Sequence, residues 1–440
     1  MQIQELYNIY LKYPSVQTDT RKLKQGDLFF ALKGPNYNAN QFAKQAIADG
    51  AAFAIVDEEI DNADSRIIKV NDVLHTLQDL ALHHRRQFIL SPSEKQIPFI
   101  AVTGSNGKTT SKELINAVLS TAFKTYTTEG NFNNHIGIPL TILKIKRDAE
   151  MAIIEMGANH QKEIEEYCKY TMPTHGVITN CGKAHLEGFG SEEGIRKGKG
   201  ELFDYLRSHN GTAFVMQDYD YLQKMSAGIA NVITYGTHDA AVTGYVKNSS
   251  GLLEVSISSC AVSGIIKTNM IGEYNLPNVL LAVTIGNYFK VPAEKIKSAI
   301  ENYFPSNNRS QLIKKDSNTF IMDAYNANPS SMKAAIENFA KMSTRAGTDG
   351  EGADKVLILG GMMELGKESL SEHQALIELI NNYKWKNVVL VGGDFNKVNH
   401  PYLNFENSIQ AKHWFRDQNF KHTILLIKGS RSIEMEKILD

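Results

Sequence analysis

The sequence predicts an α/β protein of more than one domain, and three observations carry that prediction. At 440 residues the chain exceeds what one hydrophobic core ordinarily organises, so two or three domains are expected. The stretch IPFIAVTGSNGKTTSKELINAVL, residues 97 to 119, reads as strand, loop and helix. Phe99 to Val102 are apolar without a break, as in a strand buried on both faces, and Leu114, Ile115, Val118 and Leu119 recur at helical spacing. In the last third, the apolar runs FIMDA, KVLILGG, NVVLVGG and TILLIKG alternate with helical stretches, the pattern of a parallel sheet with crossovers.

The loop between that first strand and helix, Gly104, Ser105, Asn106, Gly107, Lys108, Thr109 and Thr110, has the makings of a phosphate cradle. Glycines let backbone amides turn toward an anion, and the helix N-terminus adds its positive dipole. In such a loop Lys108 reaches the terminal phosphates and the Thr109 hydroxyl a magnesium ion. The general pattern has a glycine six residues before the lysine, where Val102 stands, and Gly104 is additional. The bland alternative is a glycine-rich turn that caps a helix and binds nothing.

Hydrophobic residues at 42% and charged residues at 22% are the balance of a soluble globular protein. A formal net charge of -1 offers no basic field to nucleic acid. No apolar run approaches membrane length, and MQIQELYNIYLKYP lacks the charged-then-apolar layout of a secretory signal. Cys168, Cys181 and Cys260 have no metal-ligand spacing and cannot all pair with one another, which suits a reducing cytoplasm.

In chain order, GDLFFALKG and AAFAIVD read as strands, QFAKQAIADG as a short helix ending at Gly50, and NDVLHTLQDLALHHRRQF as a longer amphipathic helix. Asp19, Thr20 and Arg21 precede the first convincing strand; an arginine beside hydroxyls there suits a phosphate or diphosphate, and equally a solvated turn. SPSEKQIP, residues 91 to 98, reads as a linker, so the expected domains are 1–92, 93–307 and 308–440. Past the loop, TYTTEGNFNNHIGIPLTIL carries Asn133 and Asn134 and a Gly-Ile-Pro turn, suited to the wall of a polar cleft. MAIIEMGANH delivers Glu155 at the end of a buried strand, where a carboxylate facing a phosphate loop is a natural magnesium ligand or, alternatively, a cap for the next helix. GVITNC runs into GKAHLEGFGS and His185, by itself more often structural than functional. GIRKGKGELF groups Arg196, Lys197 and Lys199, on spacing alone a solvated helix face. Residues 212 to 270 read as short strands and polar turns without obvious chemistry. Asn275 and Asn278 in GEYNLPNVLLAV fall one turn apart on one helix face, suited to a base edge or a cap. DAYNANPSSM, Asp323 to Met332, ends a strand with a carboxylate, a tyrosine and two asparagines, no dinucleotide-type glycine triplet is present, and STRAGTDGEGAD, residues 343 to 354, reads as a surface loop.

Together these motifs resemble the ATP-dependent Mur ligases of peptidoglycan synthesis. The resemblance runs the length of the chain: TDTR, GDLFFALKG, TGSNGKTT, GNFNNHIGIPLTIL, EMGANH, TNCGKAHLEGFGS, KGKGELF, NRSQ, DAYNANPSSM, MELG and KGSR. It implies a small N-terminal α/β domain holding a UDP-sugar, a central P-loop ATPase domain with a mostly parallel sheet, and a C-terminal Rossmann-like domain. It implies an amide ligase that phosphorylates a terminal carboxylate with ATP and lets an amine displace the phosphate. DAYNANP matches the family member that adds D-alanyl-D-alanine to UDP-N-acetylmuramoyl-tripeptide.

Carried over residue by residue, the resemblance places the β- and γ-phosphates on Lys108 and the loop amides. It gives Thr109, Glu155, His185 and Lys199 to two magnesium ions, with Lys199 carbamylated. Asn275 and Asn278 match adenine-side positions, Arg309 and Asp323 the nucleotide clamp, and Tyr325, Asn326 and Asn328 the pocket near the phosphates and incoming dipeptide. Thr20 and Arg21, with Asn133 and Asn134, fall to the nucleotide-sugar substrate, and Lys428, Ser430 and Arg431 to a place near a carboxylate or phosphate. A cytoplasmic monomer that neither binds nucleic acid nor enters a membrane is expected. Tyr274 stands where the family usually has histidine, Asn38, Ala39 and Asn40 where an Asp-Gly-His run is common, and Met362 and Met363 where Asp-Met-Gly-type residues are frequent. Three rivals remain: the family's third-residue-adding enzyme, whose DNPR-type motif is absent; folylpolyglutamate synthase, which lacks a separate UDP-sugar domain; and a P-loop ATPase regulator that makes no amide.

Overall fold

The computed structural model describes residues 2–61, 64–89, 96–258, 261–342 and 353–440. Most of the expected linker (91–95), the boundary at 92/93, Cys260 and most of the expected loop at 343–354 lie outside the described residues.

The N-terminal unit is a four-stranded parallel sheet in the order Val16–Gln17, Leu28–Phe30, Phe53–Val56 and Ile67–Lys69. Leu28, Phe29 and Phe30 are all fully buried, because the sheet is covered on both faces. The helix Val73–Arg86 starts where the Asp72 side chain accepts from the His75 amide at 2.7 Å, a cap that contributes roughly 1 kcal/mol. Its far end docks on the central unit: the Arg85 guanidinium lies 3.7 Å from the Phe99 ring centroid and donates to the carbonyls of Thr171 and Met172 at 2.9 Å each. Those carbonyls end the helix Glu163–Thr171, so a cation there satisfies orphan acceptors and opposes the helix dipole.

The central sheet has nine strands, running in space from Gly264–Ile271 through Leu252–Ile257, Val242–Asn248, Asn231–Gly236, Thr212–Met216, His175–Ile178, Phe99–Thr103 and Met151–Glu155 to Thr125–Thr127. The first three pair antiparallel, and all the remaining pairings are parallel. Phe99–Thr103 is buried throughout, since it has a parallel neighbour on each side. Parallel strands aim their carboxyl ends the same way, so the segments after Thr103, Glu155 and Ile178 meet at one edge. The expected Gly-Ile-Pro turn is instead the start of the helix Gly137–Leu143, all of whose residues are buried; proline in a helix's first turn forfeits only an amide that has no partner.

The third sheet runs Gln311–Lys315, Asn318–Asp323, Thr423–Lys428, Asp354–Gly360, Asn387–Val391 and Leu403–Phe405. Its first pair is antiparallel, an edge hairpin unforeseen in the sequence, and the rest are parallel. The expected boundary at 307/308 lies between the helix Ala293–Glu301 and this hairpin.

Candidate active site

The loop Gly104 to Thr110 bends into the helix Lys108–Leu119 through two glycines in left-handed backbone, Gly104 at φ 140 and Gly107 at φ 81. A Cβ on Gly104 would stand 2.0 Å from the Thr179 Oγ1. Gly104→Ala is therefore expected to lower the melting temperature and abolish activity together, because neither the backbone nor Thr179 can yield without moving the loop; thermal melts and a turnover assay on the same preparation check this.

Two expected phosphate-binding amides prove to be engaged already: Ser105 donates to the Asn180 carbonyl at 2.8 Å and Asn106 to the Asn180 Oδ1 at 3.1 Å. What faces outward is the first turn of the helix, where amides lack intrahelical partners. Lys108 folds back, its Nζ donating to the carbonyls of Gly104 at 2.6 Å and Ser105 at 3.3 Å. Burial pushes its pKa down to about 8, against the upward pull of Glu155 and with a further downward push from Arg309.

Glu155 is 1% exposed. Its carboxylate accepts from the Thr109 hydroxyl at 2.9 Å and from the Asn133 Nδ2 at 2.8 Å, so it closes on the phosphate loop rather than on the next helix. A hydroxyl beside a buried carboxylate is an all-oxygen pair, the donor chemistry that magnesium takes when phosphates and waters complete its shell. Among the described residues no three His, Cys, Asp or Glu side chains form a preformed metal cluster. His185 lines the same cleft in left-handed backbone (φ 55), its Nδ1 bonded to Glu364 of the third unit.

Lys199 corrects the reading of its basic run as a solvated face. The helix Glu192–Ser208 buries Gly194, Ile195, Gly198, Lys199, Glu201 and Leu202, and Lys199 is fully inaccessible. Its Nζ donates to the Ala158 carbonyl at 2.8 Å and sits 5.0 Å from the Phe189 ring centroid. Gly198 makes room for that ring, since a Cβ there would meet Phe189 at 2.5 Å. Burial first, and the Lys108 charge second, bring the Lys199 pKa down to about 7.

The two asparagines expected at the nucleotide bond to the protein: Asn278 Nδ2 donates to Asn275 Oδ1 at 2.8 Å, Asn275 donates to the Ile271 carbonyl, and Asn278 accepts from Ser111. Tyr274 bonds Ser310 through its hydroxyl at 3.1 Å. Asp323 is held by Lys428 at 2.6 Å and by the Ser310 amide at 3.0 Å, while the Arg309 guanidinium stacks 3.6 Å from the Tyr325 ring centroid. Asn328 caps the helix Pro329–Lys341 and donates to the Asn106 Oδ1 at 2.8 Å, tying the third unit directly to the phosphate loop. Ser430 bonds the Met363 amide, and the Arg431 guanidinium lies 5.0 Å from the centroid of the Tyr325 ring on which Arg309 also stacks.

One cleft of 750 Å³ gathers Ser105 to Ser111, Asn133, Asn134, Glu155, His185, Asn275, Asn278, Arg309, Asp323, Tyr325, Asn326, Asn328 and Lys428. Gly104 and Lys199 stand behind its wall. The sequence reading missed Tyr219, Tyr221 and Tyr235, which line the cleft from the stretch 212–270 that showed no chemistry. Each follows or ends a parallel strand, and only the strand order brings them together. A second cavity of 400 Å³ opens between the first and central units, lined by Gln17, Asp19, Lys22, Phe132 and Lys144 among others. Thr20 and Arg21 border neither cavity; Arg21 projects into solvent and pairs with Asp19 at 2.8 Å, holding that carboxyl well below its usual range. The run Asn38 to Asn40 is bound within its own unit: Asn40 exchanges hydrogen bonds of 2.8 and 3.0 Å with Asp57, and Asn38 donates to Glu58.

Three family models match the chain in succession: "Mur ligase family, catalytic domain" over residues 12–85, "Mur ligase middle domain" over 102–286 and "Mur ligase, glutamate ligase domain" over 308–418. The UDP-N-acetylmuramoyl-tripeptide–D-alanyl-D-alanine ligase of Bacillus subtilis is 34% identical across 96% of the chain and 92% of its own length. The Escherichia coli enzyme of the same name is 33% identical, covering 99% and 95%. A crystal structure of MurF from Acinetobacter baumannii superposes with a TM-score of 0.85 at 30% identity, covering 97% of this chain and 92% of that one.

Proposed function

The chain belongs to the Mur ligase family, and from that premise we propose that it is the ATP-dependent ligase that joins D-alanyl-D-alanine to UDP-N-acetylmuramoyl-tripeptide in peptidoglycan precursor synthesis. The observation that carries this reading is the single cleft in which the phosphate loop, the Glu155 carboxylate and the segment Asp323 to Asn328 face one another. A carboxylate resists attack by an amine until its oxygen becomes a leaving group, so it is first phosphorylated. Bringing carboxylate to ATP crowds like charges, which preorganised positive groups must offset.

In this cleft Lys108 and the first turn of its helix face the β- and γ-phosphates. Thr109, Glu155 and His185 would hold magnesium, which when bound would offset charge on the transferring phosphoryl group. Lys199, with a pKa of about 7, keeps a neutral fraction of its amine at neutral pH, the form that would add carbon dioxide and release a proton to give an anionic carbamate, a group that would suit a second magnesium. Asn275, Asn278, Arg309 and Asp323 border the nucleotide. Tyr325, Asn326 and Asn328 stand beside the phosphates and incoming dipeptide, and Asn133 and Asn134 on the side of the tripeptide nucleotide. Thr20 and Arg21 belong to the surface that receives its UDP-sugar. No helix among the described residues is long and apolar enough to cross a membrane. The reaction uses nucleotide-linked precursors and so belongs in the cytoplasm, where the enzyme acts as a monomer and serves cell shape and division.

The test is the product. With ATP, magnesium and the tripeptide nucleotide, mass spectrometry should show an adduct heavier by the dipeptide less water, and only when D-alanyl-D-alanine is supplied. No adduct, or one formed instead from a dipeptide nucleotide and a single amino acid, would transfer the chain to another branch of the family.

A further inference from the structure

The Lys and Arg side chains lining the cleft are Lys108, Arg196, Arg309 and Lys428. Lys108 is bonded to loop carbonyls, Lys428 pairs with Asp323, and Arg309 stacks on Tyr325. Arg196 stands against a different wall. Its guanidinium carbon lies 5.0 Å from the Tyr221 ring centroid, and its Nε is buried with no hydrogen-bond partner. No carboxylate pairs with it among the described residues. Tyr221 is itself fixed, its hydroxyl accepting from the Cys181 amide at 3.1 Å and its ring stacked at 5.6 Å on that of Tyr219. A buried donor left unpaired is unfavourable until something supplies an acceptor, and a guanidinium on an aromatic wall is shaped for a planar, bidentate anion.

We propose that Arg196, backed by Tyr221, binds the terminal carboxylate of the incoming dipeptide and makes the enzyme select an acceptor whose carboxylate is free. This rests on the ligase reading above. Arg196 precedes Lys199 by three residues on the helix Glu192–Ser208, a spacing that sets side chains about 5–6 Å apart along one face. An extended dipeptide reaches roughly 7 Å from amine to carboxylate. Lys199 itself stands behind the wall, but Ala158, whose carbonyl accepts from its Nζ, lines the cleft, so an amine that attacks beside Ala158 carries its carboxylate toward Arg196. The acyl donor's reacting carboxylate must instead meet the phosphate loop, where Lys108 and Glu155 stand.

The test compares the wild type, Arg196→Gln and Arg196→Lys with D-alanyl-D-alanine and with its C-terminal amide, measuring KM for dipeptide, ATP and tripeptide nucleotide separately. The wild type should prefer the free acid. Arg196→Gln should raise the dipeptide KM roughly tenfold to a hundredfold, the loss of one charge-assisted hydrogen bond, and erase the preference for acid over amide. KM for ATP and for the nucleotide should stay within about twofold, the scatter expected where no contact is lost. Arg196→Lys, which keeps the charge but not the fork, should fall between. A wild type that fails to ligate D-alanyl-D-alanine would sink the ligase reading itself. A wild type that ligates, alongside a Gln variant that keeps its preference for acid or weakens only nucleotide binding, would overturn the role of Arg196 alone. Should circular dichroism show the Gln variant unfolded, the acid-to-amide ratio of Arg196→Lys decides: unchanged from wild type, it overturns the proposal.

Discussion

Lys108→Ala is expected to lower kcat/KM by roughly three orders of magnitude, the scale of losing a preorganised charge at the transferring group, while the protein stays folded. The structure separates these two effects. Lys108 makes no carboxylate ion pair among the described residues; its Nζ bonds only the Gly104 and Ser105 carbonyls. Both carbonyls belong to a loop on a cleft of 750 Å³, so water can replace the ammonium. The apolar contacts of the helix come from Leu114, Ile115, Val118 and Leu119, all fully buried, and the substitution leaves them intact. During phosphoryl transfer no water replaces a fixed cation at the right place. Normal turnover in a folded variant would show that Lys108 only closes the loop.

Lys199→Ala is expected to lose at least a hundredfold in kcat, the order seen when a group stabilising transition-state charge is removed, and to recover part of it in formate or acetate. A small carboxylate can enter the space of the missing side chain and supply the anion a carbamate would supply. Full activity without rescue would reduce Lys199 to a packing residue. The amine also leaves a signature in stability. Its pKa falls from the ordinary 10.5 to about 7 on folding, so between those values the unfolded chain holds a proton that the folded chain does not. Stability therefore rises with pH across that window, and the cost of the buried charge is greatest below it. In buffer freed of carbon dioxide, Lys199→Met should remove this dependence, and the gap in melting temperature between variant and wild type should narrow as pH rises. A gap constant with pH would mean that Lys199 titrates as an exposed lysine.

The parts of the fold legible in the sequence are those whose pattern and position coincide. Phe99–Thr103 shows as an unbroken apolar run because it lies inside a parallel sheet, and Glu155 shows because it ends the neighbouring strand of the same kind. Burial of Lys199 left no such mark: its helix carries three basic residues within four positions, and spacing does not show that Phe189 packs against Gly198 beside the fully buried one. Tyr219, Tyr221 and Tyr235 were unreadable for another reason. Tyr219 and Tyr221 sit at the start of the helix that follows Thr212–Met216 and Tyr235 sits within the neighbouring strand Asn231–Gly236, so their convergence depends on a strand order that periodicity does not encode. The link from Asn328 to Asn106 spans two units; the resemblance placed Asn328 in the pocket near the phosphates, but nothing in the sequence pairs it with Asn106.

The central claim is that one cleft activates a carboxylate with ATP and then passes its acyl group to an amine. The direct measurement uses UDP-N-acetylmuramoyl-tripeptide carrying heavy oxygen in its terminal carboxylate, with ATP, magnesium and D-alanyl-D-alanine. If the acyl phosphate forms, one labelled oxygen leaves in the inorganic phosphate for each amide made. Phosphate released without the label would contradict the account, because ATP would then have been hydrolysed by water and the carboxylate never activated.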